Sequence, residues 1–267
     1  MLKDITLGQY FPGNSIAHKL DPRTKILLVT LYIIALFSAK GWMGYAVMAV
    51  TLAACVKVSH VGLRALVRGL KPLVFIIAFT GILNMFFTPD THYLWEWGIL
   101  RVSVKGIENA LFMVIRIMLL VMGTFLMTYT TSPIRLTDGL ESLLNPLKKI
   151  HVPVHELAMM MAIALRFIPT LIEETDKIMS AQKARGADFD SGNIFQKAKA
   201  LVPILVPLFI SAFRRADELA TAMECRCYHG GEGRTKLHVL KYQRRDYIAL
   251  AGGAVILAVV VLRRLGT

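Results

Sequence analysis

The chain has 267 residues, 55% hydrophobic and only 18% charged, with 31 Lys and Arg against 18 Asp and Glu for a formal net charge of +13. Ordinary soluble domains run to about 45–50% apolar and about 25% charged residues, so this composition points to a membrane and excludes a long disordered chain, while three cysteines exclude a disulfide scaffold. On a membrane protein the basic surplus marks cytoplasmic loops rather than nucleic-acid binding.

In chain order, Met1 to Tyr10 lack the apolar core of a signal peptide, so no cleavage is expected. Asp21-Pro22-Arg23-Thr24-Lys25 reads as a helix N-cap with proline at the first helical position and basic residues at the membrane edge. Apolar runs follow at 26–39, 41–56, 72–88 and 110–127, with a fifth at 247–262. With semi-polar flanks each approaches the ~20 residues that cross a bilayer, which predicts five spans. Arg116 inside the fourth must meet a partner helix or snorkel rather than face lipid, and a structural ion pair or hydrogen bond is the simpler account.

Between 132 and 246 the composition changes: 17 of the 31 basic and 13 of the 18 acidic residues fall there. Two apolar stretches inside it, 157–172 and 201–213, are broken by Arg166 and Pro169 and by Pro203 and Pro207, and are read as greasy patches of a polar-sided helical domain. With the N-terminus inside, 25 Lys and Arg lie on the cytoplasmic side against five outside, which gives the orientation. The predicted fold is an all-α integral membrane protein, about five transmembrane helices plus a cytoplasmic domain of three helices, two of them long and crossed. Its divisions are 1–131, 132–245 and 246–267.

The first helix of that domain starts at Ser132-Pro133, carries Leu136, Leu140, Leu143 and Leu144 as a stripe, and ends at Pro146. The second runs from Pro153 to Gly186, and the third from after Asp190-Ser191-Gly192 to about Cys227. The last two are each about 30 residues or ~45 Å long, with kinks expected at Pro169 and at Pro203 and Pro207. Their ends repeat: Asp176, Ile178, Ser180, Ala181 and Arg185 recur 41 residues later as Asp217, Leu219, Thr221, Ala222 and Arg226. Small residues flank both arginines, as Ala184 and Gly186 and as Cys225 and Cys227. Each copy presents a guanidinium on a narrow helix tip, suited to bidentate pairing with a carboxylate in a groove of another protein. Ordinary C-capping explains Arg185-Gly186 by itself, but the second copy lacks the glycine and keeps the arginine, which favours docking.

Cys225-x-Cys227-x-His229 hints at zinc, yet a fourth ligand at normal spacing is missing and only His238 is near, so no metal is expected. Gly230-Gly231-Glu232-Gly233-Arg234-Thr235 lacks the lysine spacing of a P-loop and reads as a flexible return into the last span. The spans hold no acids, which weakens an ion-coupled transporter or an integral membrane enzyme. What remains is a membrane anchor with two arginine-tipped helices and no motor.

Several segments together resemble the transmembrane T component of energy-coupling factor transporters, the modular ABC-type importers of vitamins and other micronutrients. They are Leu20-Asp21-Pro22-Arg23-Thr24-Lys25, Thr137-Asp138-Gly139-Leu140-Glu141-Ser142-Leu143-Leu144, Leu165-Arg166-Phe167-Ile168-Pro169-Thr170-Leu171, Ala184-Arg185-Gly186 and the Gly230 to Thr235 stretch. The likeness is to the shared type that serves several substrate-binding proteins. It implies a non-catalytic, multi-pass cell-membrane scaffold, with no cofactor in this chain and ATP and magnesium on partner subunits. The implied partners are two ABC ATPase subunits and small substrate-binding membrane subunits, with no nucleic acid. By match, Ala184, Arg185, Gly186, Cys225, Arg226 and Cys227 dock the ATPases, supported by Asp176 and Asp217. The greasy surface of Leu157, Met160, Met161, Leu165, Leu205, Leu208 and Phe209 is implied to meet the substrate-binding subunit. The alternatives are a conventional ABC importer permease and a non-transport membrane scaffold or enzyme.

Overall fold

Pro22 presets the helical φ and Asp21 caps it, accepting the Arg23 N–H at 2.9 Å, so α1 (Pro22–Ser38) begins at the basic edge of the first apolar run. The computed structural model describes residues 10–89, 93–97, 100–187, 189, 193–230 and 239–265. After α1 come α2 (Gly41–Ser59), α3 (Leu63–Leu70), a 3-10 turn at Lys71–Leu73 and α4 (Val74–Phe87). A short antiparallel hairpin follows, β1 (Tyr93–Trp97) with β2 (Leu100–Ser103), pairing Trp95 with Val102. The chain then forms α5 (Val104–Thr130), α6 (Pro133–Leu144), α7 (Val154–Ala184), α8 (Ile194–Glu224) and α9 (Arg244–Leu265).

The all-α expectation holds apart from that hairpin, whose alternation is too short to register against the apolar runs on either side. Among the described residues, five helical segments are long and apolar enough to cross a membrane: Gly41–Ser59, Leu63–Phe87, Val104–Thr130, Val154–Ala184 and Arg244–Arg264. Four of them contain predicted runs. The remaining predicted run, 26–39, falls on α1 as far as Ser38, a helix of 17 residues about 26 Å long. α7 joins the set by its apolar first half, whereas Glu173, Glu174, Asp176, Lys177 and Lys183 crowd its second.

The contacts divide the chain into two compact units. One contains the described residues of 8–143 and 240–267, the other those of 144–239. In the first, α5 packs on α1, α2, α3 and α4, and α1 packs on α9. The core between them holds Leu36, Met48, Leu52, Leu66, Leu119, Tyr129 and Val260. Arg116 on α5 donates from Nε to the Tyr45 hydroxyl on α2 at 2.8 Å and lies 5.7 Å from the Phe37 ring, so it meets partner helices as expected. The contacts place α6 with this first unit, although the composition changes before it, at Ser132. The second unit contains α7 and α8, packed on each other. Pro169 lies inside α7, and Pro203 and Pro207 lie inside α8, which starts on an Asn193–Gln196 capping box.

Candidate functional site

The two arginine-bearing ends are built alike. At the end of α7, Gly186 N–H donates to Lys183 C=O and Ala187 N–H to Gln182 C=O, both at 3.0 Å. At the end of α8, Cys227 N–H donates to Glu224 C=O at 2.8 Å and Tyr228 N–H to Met223 C=O at 3.1 Å. Each pair of bonds is a Schellman motif, and every donor and acceptor in the second copy lies 41 residues after its equivalent in the first. The residue after each arginine is left-handed, Gly186 with φ +90° and Cys227 with φ +56°. One turn back, Ser180 Oγ donates to the Asp176 carbonyl at 2.8 Å and Thr221 Oγ1 to the Asp217 carbonyl at 2.9 Å. The supporting aspartates of the repeat thus take part through their backbones.

This geometry corrects one step of the sequence argument. Capping does operate in the second copy without glycine, because Cys227 itself adopts the left-handed conformation. Both arginines occupy the same cap position, where a cation also complements the helix dipole. Ala184, Arg185, Gly186, Cys225, Arg226 and Cys227 are all exposed. His229 Nδ1 lies 2.8 Å from the Cys227 carbonyl, and among the described residues no three His, Cys, Asp or Glu side chains gather as a metal site. His238, Asp190-Ser191-Gly192 and the Gly231 to Thr235 part of the glycine-rich stretch lie outside the described residues.

The two helices also meet at an equivalent point. Arg215 Nη2 donates to Glu174 Oε2 at 2.9 Å, and these residues are 41 apart. Each arginine tip lies eleven residues beyond its member of the pair (174 to 185, 215 to 226), about 16 Å along the helix. Parallel helices through this contact would separate the end of α7 from the start of α8 by about 46 Å. The connecting chain reaches only about 35 Å, so the helices cross or oppose. The repeat, traced two residues further back than Asp176, would have revealed this pair.

On the proposed greasy surface, Leu157 and Met160 on α7 are exposed, as are Leu205 and Phe209 on α8. Met161, Leu165 and Leu208 are half-buried. Leu201, Val202, Val206, Ile210 and Phe213 extend the exposed apolar surface of α8.

In the first unit the Asp21 to Lys25 motif does far more than cap α1. The Arg23 guanidinium returns to Asp21, with Nε to Oδ1 at 3.1 Å and Nη2 to Oδ2 at 3.0 Å. It also donates to Ser142 Oγ at 3.2 Å and lies 4.0 Å over the Tyr242 ring. Asp246, buried near the start of α9, accepts the Asp21 N–H at 2.9 Å and the Gln243 N–H at 2.7 Å. Lys25 Nζ, just before the first apolar run, donates to the Thr130 carbonyl at 2.8 Å and to Thr131 Oγ1 at 2.9 Å. Burial, reinforced by the charge of Arg135, holds its amine down to about 8. α6 lies so close to α1 that a Cβ on Gly139 would fall 2.8 Å from Pro22 Cβ. Two segments that carried the resemblance thus pack on each other, and Asp246, 225 residues after Asp21, gave no local sequence signal.

The chain matches the family model described as "Cobalt transport protein" (CbiQ) over residues 13–237. It is 53% identical over 262 residues to the energy-coupling factor transporter transmembrane protein EcfT of Ruminiclostridium cellulolyticum, covering 98% of both chains. It is 54% identical over 266 residues to the protein of the same description from Clostridium kluyveri, covering 99% of this chain and 98% of the relative. For that of Bacillus subtilis the identity is 46% over 264 residues, covering 99% and 100%.

Proposed function

We infer the function of this chain from its kinship: it belongs to the cobalt transport protein (CbiQ) family, as a transmembrane component of the energy-coupling factor transporters. We propose that it is the non-catalytic scaffold of such a transporter, seated on two ABC ATPase subunits that hold ATP and magnesium, and gripping a small membrane subunit that binds a vitamin or related micronutrient. The observation that carries the proposal is the duplicated helix end, in which one hydrogen-bond pattern presents Arg185 and Arg226 alike on exposed tips.

In this mechanism each guanidinium pairs with acidic residues of a groove on one ATPase, and the small neighbours Ala184, Gly186, Cys225 and Cys227 allow the backbone to approach. Closure of the ATPase pair moves the tips. α7 and α8, joined at Glu174 and Arg215, carry the movement to the apolar surface that holds the substrate-binding subunit, which reorients and releases its cargo inside. The N-terminus and the 144–239 unit are cytoplasmic, in keeping with the lysine and arginine distribution.

The test is a mild-detergent pull-down of the tagged chain from its native membranes, comparing the native sequence with Arg185→Glu plus Arg226→Glu. The native chain should bring two nucleotide-binding subunits and at least one small hydrophobic protein, and the double variant should lose the ATPases. Normal assembly and uptake in that variant would sink the docking mechanism.

A further inference from the structure

The two tips share a shape but not a charge. Over the eleven residues ending one position past each left-handed residue, 177–187 carries Lys177, Lys183 and Arg185 with no acid. The equivalent 218–228 carries Glu218, Glu224 and Arg226. At the repeat positions 177/218 and 183/224 the sign is inverted, and all four side chains are exposed. The hydrogen bonds superimpose donor for donor, so these inversions sit at the same places on two copies of one surface.

Not every inversion has a bearing on a partner. Lys177 follows Glu173 by four residues and Glu218 follows Arg214 by four, the spacing of neighbours on one helix face, so intrahelical pairing accounts for both. Lys183 and Glu224 have no opposite charge three or four residues away in either direction. Glu224 also stands in the last turn of α8, where the helix dipole disfavours an acid. Neither helix pairing nor capping explains an acid there. It lies two residues before Arg226, just as Lys183 lies two residues before Arg185.

We propose that Lys183 and Glu224 make the two tips non-interchangeable. The α7 tip, offering Lys183 beside Arg185, fits a groove with acids at both positions. The α8 tip, offering Glu224 beside Arg226, fits a groove in which a basic residue stands next to the acid that receives the arginine. The scaffold therefore seats two unlike ATPase subunits in one fixed order, a statement that rests on the docking reading above. Like charges at the wrong pairing supply the discrimination, as in other interfaces that reject a near-identical partner by repulsion.

A photo-reactive amino acid placed at Ala181 or at Ala222, equivalent and exposed positions, tests this in the whole complex in its native membranes. Adducts are identified by mass spectrometry of the attached nucleotide-binding subunit. Ala181 should label one subunit and Ala222 the other, each with at least a tenfold preference. Combining Lys183→Glu with Glu224→Lys, which leaves the net charge unchanged, should reduce that preference at least tenfold at both tips or reverse it. Equal labelling of both subunits from each tip overturns the proposal, as does an unchanged preference in the exchanged variant or the presence of a single kind of ATPase. Absence of adducts from both tips, with the ATPases still bound, overturns the docking reading as well.

Discussion

Glu174 and Arg215 hold each other at 2.9 Å while occupying the same position in two copies of one helix. Where two equivalent elements meet on a pseudo-two-fold axis, a residue on the axis touches its own counterpart. Identical charges there would repel; Glu174 and Arg215 carry opposite signs and pair instead.

The pair is half-exposed, so its direct contribution is modest, about 0.2–1 kcal/mol. Glu174→Arg alone should cost more than Glu174→Gln, because it sets two cations on the axis. Adding Arg215→Glu to Glu174→Arg should recover most of the loss. A double-mutant cycle on thermal unfolding of the detergent-solubilised complex measures this, and additive losses would show that the two side chains are not coupled.

The left-handed residues give a reciprocal pair of expectations. A Cβ on Gly186 would meet nothing within 4 Å, so Gly186→Ala costs only the left-handed backbone penalty of about 1–2 kcal/mol. Cys227→Gly should relieve the same penalty at the other tip. Hydrogen exchange at the Ala187 and Tyr228 amides reports both, faster in the first variant and slower in the second, by roughly 5–30-fold.

Asp246→Ala should release the buried Asp21 N–H at a cost of about 1–3 kcal/mol, with about 1 kcal/mol more for the lost bond to the start of α9. Lower thermal stability, together with new proteolytic cleavage near Tyr242, is the expected readout. Gly139→Val should loosen the same region by forcing α6 off Pro22.

Lys25 links stability to pH. Its amine is held to about 8 in the folded protein against an ordinary 10.5. Between those values the unfolded chain binds more protons, so stability rises with pH across that window. Below about 8 both states are protonated and the burial penalty is fully present. In Lys25→Met this increment between pH 8 and 10 should vanish, as read from melting curves of the two proteins side by side.

Much of this molecule was legible from local pattern. Pro133, Pro153 and the left-handed cap at Gly186 fixed helix ends to within a residue or two, since proline and left-handed backbone are local matters. The tips emerged from the 41-residue repeat for the same reason. The role of Asp21 and Arg23 did not, because their partners Ser142, Tyr242 and Asp246 lie more than a hundred residues away and only folding brings them near. The left-handed backbone of Cys227 escaped notice because nothing in a cysteine's identity announces it. The inversion at 183/224 was visible in the letters, but it acquired meaning only once the hydrogen bonds showed the two ends to be superimposable.

The Arg23 guanidinium touches Ser142 and Tyr242, the residues beside the two places where the chain passes between the compact units. Within the first unit, one guanidinium thus ties together the stretch that precedes the 144–239 segment and the stretch that follows it. A graft of 144–239 between relatives would therefore join at 143 and 240, next to two chain segments already fastened to each other.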